Sequence, residues 1–297
     1  MTGEVTASMR FRVPDEHLRD LITSFYIASI TGPPGTEVVD VLQPEWGNLR
    51  FRLENDWTTL GPEAGEQPGD IVLFGPTSRA RTFIARPGAV IGVGLTPLGW
   101  ATLIRMPADQ VADKVVDGSG LFGGLLPALH ERILAARGDE ARFDLLAAFF
   151  AKQVAHGPVR EEVIRKVHAA LLDPAISSVA DFAAAAGLSQ IGLARACLRV
   201  FGFTPKLLLR RQRFMRTLVA LGNEAGQPIG ERIDGAYVDH SHFNRDFKLF
   251  MGMSPSAYLS LPRLMLRAAM GSREQALGVA LQGLHALKGG TLARRAG

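Results

Sequence analysis

The chain is short of the residues from which most covalent and metal chemistry is built. Cys197 is the single cysteine in 297 residues, which excludes a disulfide framework and a cysteine-based zinc site. Between Phe11 and Arg105 the one histidine is His17, and the three or four ligands of a catalytic metal cannot be gathered around it. No apolar run approaches the ~18 residues of a membrane span, and the N-terminus has no signal-peptide apolar core. We therefore expect no catalytic residues, no metal, no cofactor and no membrane partner, in a cytoplasmic protein.

A further absence is local. From Phe182 to Asn223 there is no acidic residue, while Arg195, Arg199, Lys206, Arg210, Arg211, Arg213 and Arg216 supply seven positive charges. The whole chain carries +4, so the remainder is at −3. A mildly acidic body bearing one basic block is the footprint of a polyanion binder. A merely solvated helix face would normally mix in Glu for i,i+4 pairs. With 47% hydrophobic and 21% charged residues, the chain has the composition of a globular protein long enough for two domains.

The basic block lies inside an internal repeat. Ser189 to Leu209 overlays Asp239 to Leu259 at an offset of 50 without a gap: Arg195 falls on Arg245, Gly202 on Gly252, Pro205 on Pro255 and Leu209 on Leu259. Each copy reads as a helix that stops at a left-handed Gly and restarts after a cap, Thr204 or Ser254, with Pro at the first helical position. A short segment precedes each copy (SVADFAAAAG, PIGERIDGAY), so each unit has the outline of a helix-turn-helix. Ser178 and Ser189 are read as N-caps, with Asp181 three residues after the first. The segment Pro205 to Leu221 is read as the long helix between the units, about 25 Å at ~1.5 Å per residue.

This layout resembles the DNA-binding domain of the AraC/XylS family of bacterial transcription regulators, over roughly Val159 to Leu261. The closest correspondence is YVDHSHFNRDFKLFMGMSP, which follows the family's order of Asp, Ser-His-Phe, Arg, Phe-Lys, Gly and Ser-Pro. Ile229 to Tyr237 departs from it, being about one residue shorter than the family's helix there, with Asp234-Gly235 breaking the apolar spacing. The resemblance implies a double-stranded DNA operator, RNA polymerase as a partner, activation of transcription and a cupin-like N-terminal barrel.

On a recognition helix the outward residues near the N-terminal end reach base edges. In the first unit these are Gln190, Ile191, Ala194 and Arg195; in the second, Ser241, His242, Asn244 and Arg245. Arg195 and Arg245 are the candidates for bidentate contact to guanine, Gln190 and Asn244 for adenine, and Ile191 for a thymine methyl. Ser178, Arg199, Lys206, His240 and Lys248 suit phosphates, which position without specifying. Leu193, Ala196, Cys197 and Val200, and in the second unit Phe243, Phe247 and Phe250, are expected inside. Cys197 is read as core filler.

The N-terminal half has a β texture: short apolar runs such as EVVDVL, NLRFRL, DIVLF and AVIGVGL between Gly/Pro clusters suggest a small barrel or sandwich. Residues 1–9 read as frayed, and Asp15 to Tyr26 as a leading helix with Leu18, Leu21, Ile22 and Phe25 on one face. The interior is a candidate effector pocket lined by Trp46, Phe51, Trp57, Phe74 and Phe83. Arg50, Arg52, Arg79 and Arg81 face either an anionic effector or solvent, and solvent is favoured. A short helix is expected at Trp100 to Met106. Two longer ones follow: Leu125 to Ala136, with Leu126, Leu129, Ile133 and Leu134 as its stripe, and Ala141 to Val154, with Leu145, Leu146, Phe149 and Phe150. These pack either on their own barrel or in a homodimer.

The expected fold is thus α+β and multidomain. Residues 1–156 form a cupin-like β domain for effector binding or dimerisation with helices at its end, 157–262 a double helix-turn-helix, and 263–297 a helical or disordered tail. The function expected is a sequence-specific transcription regulator whose N-terminal half senses a small molecule or dimerises. The alternative is one whose N-terminal half binds a protein partner or only dimerises.

Overall fold

The computed structural model describes residues 4–54, 57–59, 69–154, 160–223, 237 and 240–287. The N-terminal half is built from β1 (Thr6–Arg12), β2 (Ile22–Thr31), β3 (Val38–Leu42), β4 (Asn48–Glu54), β5 (Trp57–Thr59), β6 (Ile71–Phe74), β7 (Arg81–Ala85), β8 (Gly88–Leu95) and β9 (Val115–Asp117). They form a six-stranded antiparallel sheet in the order β1-β2-β8-β4-β6-β9 and a three-stranded one in the order β3-β7-β5. The two sheets share a core: Ala28, Ile30 and Val90 from the larger meet Val38, Phe83 and Ala85 from the smaller.

Strand β2 replaces the expected leading helix. Leu18, Leu21, Ile22 and Phe25 are buried as their spacing suggested, but only Glu16–Leu18 makes a 3-10 turn before the chain becomes extended. ITSFYIASIT is rich in β-branched and aromatic residues and is buried on both faces between β1 and β8. A residue set apolar on both faces satisfies a helical template by coincidence, and β-propensity decides. The frayed N-terminus is likewise corrected: β1 pairs with β2 from Thr6↔Thr31 to Arg12↔Phe25.

Two glycines on β8 leave room for neighbours. A Cβ on Gly92 would lie 2.3 Å from the Tyr26 ring, whose residue is its cross-strand partner. One on Gly94 would lie 2.4 Å from Thr23 Oγ1 and 2.7 Å from Gln282 Nε2. The sheet is therefore hollowed to admit a side chain from far down the chain.

The helices begin with α1 (Pro97–Gly99), which runs into a π turn at Trp100–Ile104, and with the irregular α2 (Leu121–Gly124). Then come α3 (Leu126–Ala135) and α4 (Asp139–Gln153). Leu126, Leu129, Ile133, Leu146 and Phe150 are buried against the protein's own β domain, with Phe150 6.4 Å from Phe25. Leu134 is 47% exposed and does not belong to the stripe.

After these come α5 (Glu161–Leu172), α6 (Val179–Ala186), α7 (Gln190–Phe201), α8 (Pro205–Asn223), α9 (His240–Met251), α10 (Pro255–Ser260) and α11 (Leu264–Leu277). One core runs from Leu18, Trp46 and Leu49 of the β domain through Phe143 and Phe150 to Val167, Phe182, Leu193 and Phe201. The first helix-turn-helix is thereby joined to the β domain by continuous apolar packing. A second core gathers Phe214, Phe243, Phe247, Phe250 and Tyr258 around Val41 of β3.

Residues 264–287 of the tail fold against the rest of the protein. Helix α11 lies on β1 and β3, with Met265 in the core between the two sheets. Its own N-cap position, Arg263, is left-handed and offers no side-chain cap. Asp40 of β3 supplies one instead, accepting from Met265 N at 2.7 Å and Leu266 N at 3.0 Å. A carboxylate at exposed helical N–H groups is favoured by hydrogen bonding and by the helix dipole. Among the described residues no helix is long and apolar enough to cross a membrane.

Candidate nucleic-acid interface

The repeat read from the sequence is reproduced in three dimensions. Helices α7 and α9 are both 12 residues long and start 50 residues apart. Gly202 (φ 83) and Gly252 (φ 71) end them in the left-handed region. Thr204 Oγ1 accepts from Leu207 N at 3.4 Å and Ser254 Oγ from Ala257 N at 3.2 Å, each ahead of a proline. Glycine is required because an L side chain in that region is strained.

On α7, Leu193, Cys197, Val200 and Phe201 are buried, while Gln190, Ile191 and Arg195 are exposed and Ala194 is half-buried. Ile191 is 69% exposed, the most exposed of the large apolar side chains among the described residues. Burial pushes the Cys197 thiol up to about 12, leaving it protonated. On α9, Phe243, Phe247 and Phe250 are buried, and Ser241, Asn244 and Arg245 are exposed. His242 is half-buried, edge-on to Tyr237 at 5.4 Å. Arg245 Nε donates to the Ser241 carbonyl at 3.2 Å.

Of the residues assigned to phosphates, Arg199, Lys206 and Lys248 are exposed. Ser178 is exposed but engaged, since its hydroxyl donates to Asp181 Oδ2 at 2.6 Å and accepts from Asp181 N at 3.1 Å. His240 opens α9, and its side chain lies outside the described residues. So does the expected leading helix of the second unit at 229–237, apart from Tyr237.

The basic block is less free than its composition implied. Asp246, fully buried, accepts from Arg210 Nη2 at 2.5 Å, from Arg213 Nη2 at 3.3 Å and from the Tyr237 hydroxyl at 3.2 Å. Arg211 is fully buried, its guanidinium 4.2 Å above the Trp46 ring. Burial lowers it to about 9, Asp113 and Glu45 acting in the opposite direction. Three of the seven cations therefore hold the protein together, and Arg195, Arg199 and Lys206 are the exposed ones. Both structural features had a signal. Arg211 stands in the apolar stripe Leu208, Met215, Leu218, and Asp246 in the stripe Phe243, Phe247, Phe250.

Behind the helices lies a cavity of about 100 Å³ between the sheets, α8 and the tail. Phe74 and Phe83 line it. Trp46 and Phe51, also expected there, are spent elsewhere: Trp46 packs edge-on to Phe201 at 5.5 Å and to His168 at 6.1 Å, and Phe51 against His130 at 5.9 Å. The Trp57 side chain lies outside the described residues. Arg50, expected to face solvent, instead turns into the cavity wall. It lies 4.1 Å above the Phe74 ring and donates to the Tyr26 hydroxyl at 2.8 Å, because the tail roofs that face of the sheet. Sequence reasoning missed Arg273 and Gln282 of the tail, which also line the cavity.

The family comparison agrees with the helical geometry. Residues 182–260 match the family model of a helix-turn-helix domain, and no curated protein is significantly similar to the chain. Among solved structures, ToxT from Vibrio cholerae O395 aligns with a TM-score of 0.41 at 11% identity, covering 86% of this chain and 96% of that one. The AraC-like transcriptional activator CuxR aligns with a TM-score of 0.28 at 14% identity, covering 76% of this chain and 90% of that one. Likenesses of this extent bear on neither activity nor ligand. The chain carries, over residues 182–260, an AraC-type helix-turn-helix domain, the DNA-binding unit of transcription regulators.

Proposed function

We propose that the protein regulates transcription by reading two nearby major-groove segments of one operator, α7 in the first and α9 in the second. The observation that carries this reading is the exposed outer face of both helices: Ile191 and Arg195 on one recur at an offset of 50 as Ser241 and Arg245 on the other, with Gln190 and Asn244 exposed beside them. A helix of 19 residues, α8, separates them. At ~1.5 Å per residue it spans roughly 28 Å, of the order of the ~34 Å between successive major grooves on one face.

In this reading the two sheets form a cupin-like effector domain, the cavity receives a small molecule, and regulation is activation through RNA polymerase in the cytoplasm. A homodimer would use surface left over by α3 and α4, where Leu125 and Leu134 are exposed. The effector role is favoured over simple partner binding by the cavity and its buried cations.

Selection of bound sequences from a random DNA pool at physiological salt tests the DNA reading: two short motifs about one helical turn apart should emerge. Arg245→Ala should then cost about 1–3 kcal/mol on the selected site and relax one base position. Equal losses on selected and random DNA would reduce Arg245 to a phosphate contact and remove it from the base-reading set.

A further inference from the structure

The cavity wall carries an unmatched charge. Five charged residues line it: Arg50, Arg52 and Arg273 against Glu45 and Asp70. Arg52 forms an ion pair with Asp70, and Arg50 Nη2 lies 3.5 Å from Glu45 Oε2. Arg273 is left over. Its Nη1 donates to Ser24 Oγ at 3.2 Å, and the guanidinium lies 5.3 Å from the Phe11 ring centroid. Nε and Nη2 are buried and have no hydrogen-bond partner among the described residues. Burial depresses the group to about 10, with Glu45 and Tyr26 opposing that shift. A buried charge with unfilled donors is unfavourable unless an anion completes it.

The rest of the wall is apolar and adaptable. Phe74 and Phe83 face four methionines, Met9, Met215, Met265 and Met270, and thioether side chains re-pack easily around a guest. The volume of about 100 Å³ is of the order of the roughly 150 Å³ cavity that takes up benzene. One surplus positive charge selects a monoanion, two open N–H donors at one guanidinium suit a carboxylate, and the volume limits its body to a ring or a short chain.

We propose that this cavity binds a compact monocarboxylate, aromatic or short-chain, whose carboxylate is received by Arg273 of the tail and whose apolar body lies among the methionines and Phe74. The inference rests on the reading of the cavity as an effector site. It also gives the tail a role. Arg273, Met265 and Met270 belong to α11 and Met215 to α8, so an occupant touches the β domain, the helix between the two readers and the tail together.

The test is calorimetric titration of the full chain with benzoate, phenylacetate and hexanoate, with benzamide as the neutral control and hexadecanoate as the long-chain one. At least one compact acid should bind and benzamide should not. Arg273→Met should weaken that acid roughly ten- to a hundredfold without lowering the thermal midpoint of the unliganded protein. Arg273→Gln serves if the Met variant misfolds. Absence of binding by all three compact acids overturns the proposal, as does equal binding of benzamide, a preference for hexadecanoate, or unchanged affinity in both variants. Binding of benzamide alone would keep an effector site and reject the anion. The DNA selection above stands or falls independently.

Discussion

If Asp246 organises the basic block, removing it should unfold the second reader before it affects specificity. In Asp246→Ala the fully buried carboxylate disappears and Arg210, Arg213 and the Tyr237 hydroxyl lose their common acceptor. Breaking a buried ion pair from one side costs ~3–5 kcal/mol when the orphaned charge stays buried. Here the side chain of Arg210 is 37% exposed and that of Arg213 21%, so water recovers part of the loss and about 2–3 kcal/mol is expected. Asp246→Asn keeps one acceptor and should lose less. The companion variant Arg213→Ala separates the two roles of the block. As a strut, Arg213 should contribute to stability and leave the salt dependence of DNA binding unchanged. As a phosphate contact, it should leave stability alone and flatten the slope of log K against log salt by ~0.9. Urea unfolding and DNA titrations at several salt concentrations read both. A loss below about 0.5 kcal/mol in Asp246→Ala, or a flattened slope without a stability change in Arg213→Ala, would refute the structural assignment.

The buried histidine gives a pH expectation. Burial lowers His168 from 6.5 to about 3, with His285 contributing in the same direction. Below pH 6.5 the unfolded chain then binds the proton and the folded one does not, so stability is complete above pH 6.5 and falls as the pH drops toward 3. His168 accounts for about 2 kcal/mol between pH 7 and pH 5; His168→Phe should flatten the profile, and an unchanged profile would show that His168 does not set it. A second expectation concerns which reader an effector moves. Swinging the first unit off the β domain would expose Trp46 and Phe201 with their neighbours, at ~1.5–3 kcal/mol for each large apolar side chain, while moving a two-state equilibrium from 1:99 to 99:1 takes about 5.5 kcal/mol in all. The second unit is held to the β domain by fewer apolar residues, by Val41, by Ala80 N to Phe250 O at 2.6 Å and by Gln43 Nε2 to Tyr258 Oη at 3.2 Å. On addition of a binding acid, hydrogen exchange should slow in α9 and α11 and stay constant in α7. Change confined to α7 would reverse the assignment.

The two repeated helices were legible because their signals are local: a glycine that must be left-handed, a cap and a proline recur at one fixed offset. The β domain was legible as texture but not at Asp15 to Tyr26, where burial on both faces imitates a helical stripe and only the β-branched content tells them apart. What escaped was everything that depends on a second layer. In EVVDVL the period-2 alternation puts Asp40 on the face of Val38, which is half of a message: an inward carboxylate needs donors, and these arrive 225 residues later as the first N–H groups of α11. Arg50 alternates with buried Leu49 and Phe51 and so reads as solvated, until the tail covers that face. Gly92 and Gly94 likewise mark space without naming its occupants, Tyr26 and Gln282. Gln282 reveals the logic from the other side. Its Nε2 donates to Thr23 Oγ1 at 3.3 Å and to the Leu95 carbonyl at 3.2 Å, while its Oε1 accepts from Asn48 Nδ2 at 3.1 Å. Such a plug is specified by polar groups on three strands and one tail residue, each unremarkable in its own window. Alternating glycines opposite buried polar groups, in a strand otherwise apolar, are the pattern by which a docked segment can be expected before its identity is known.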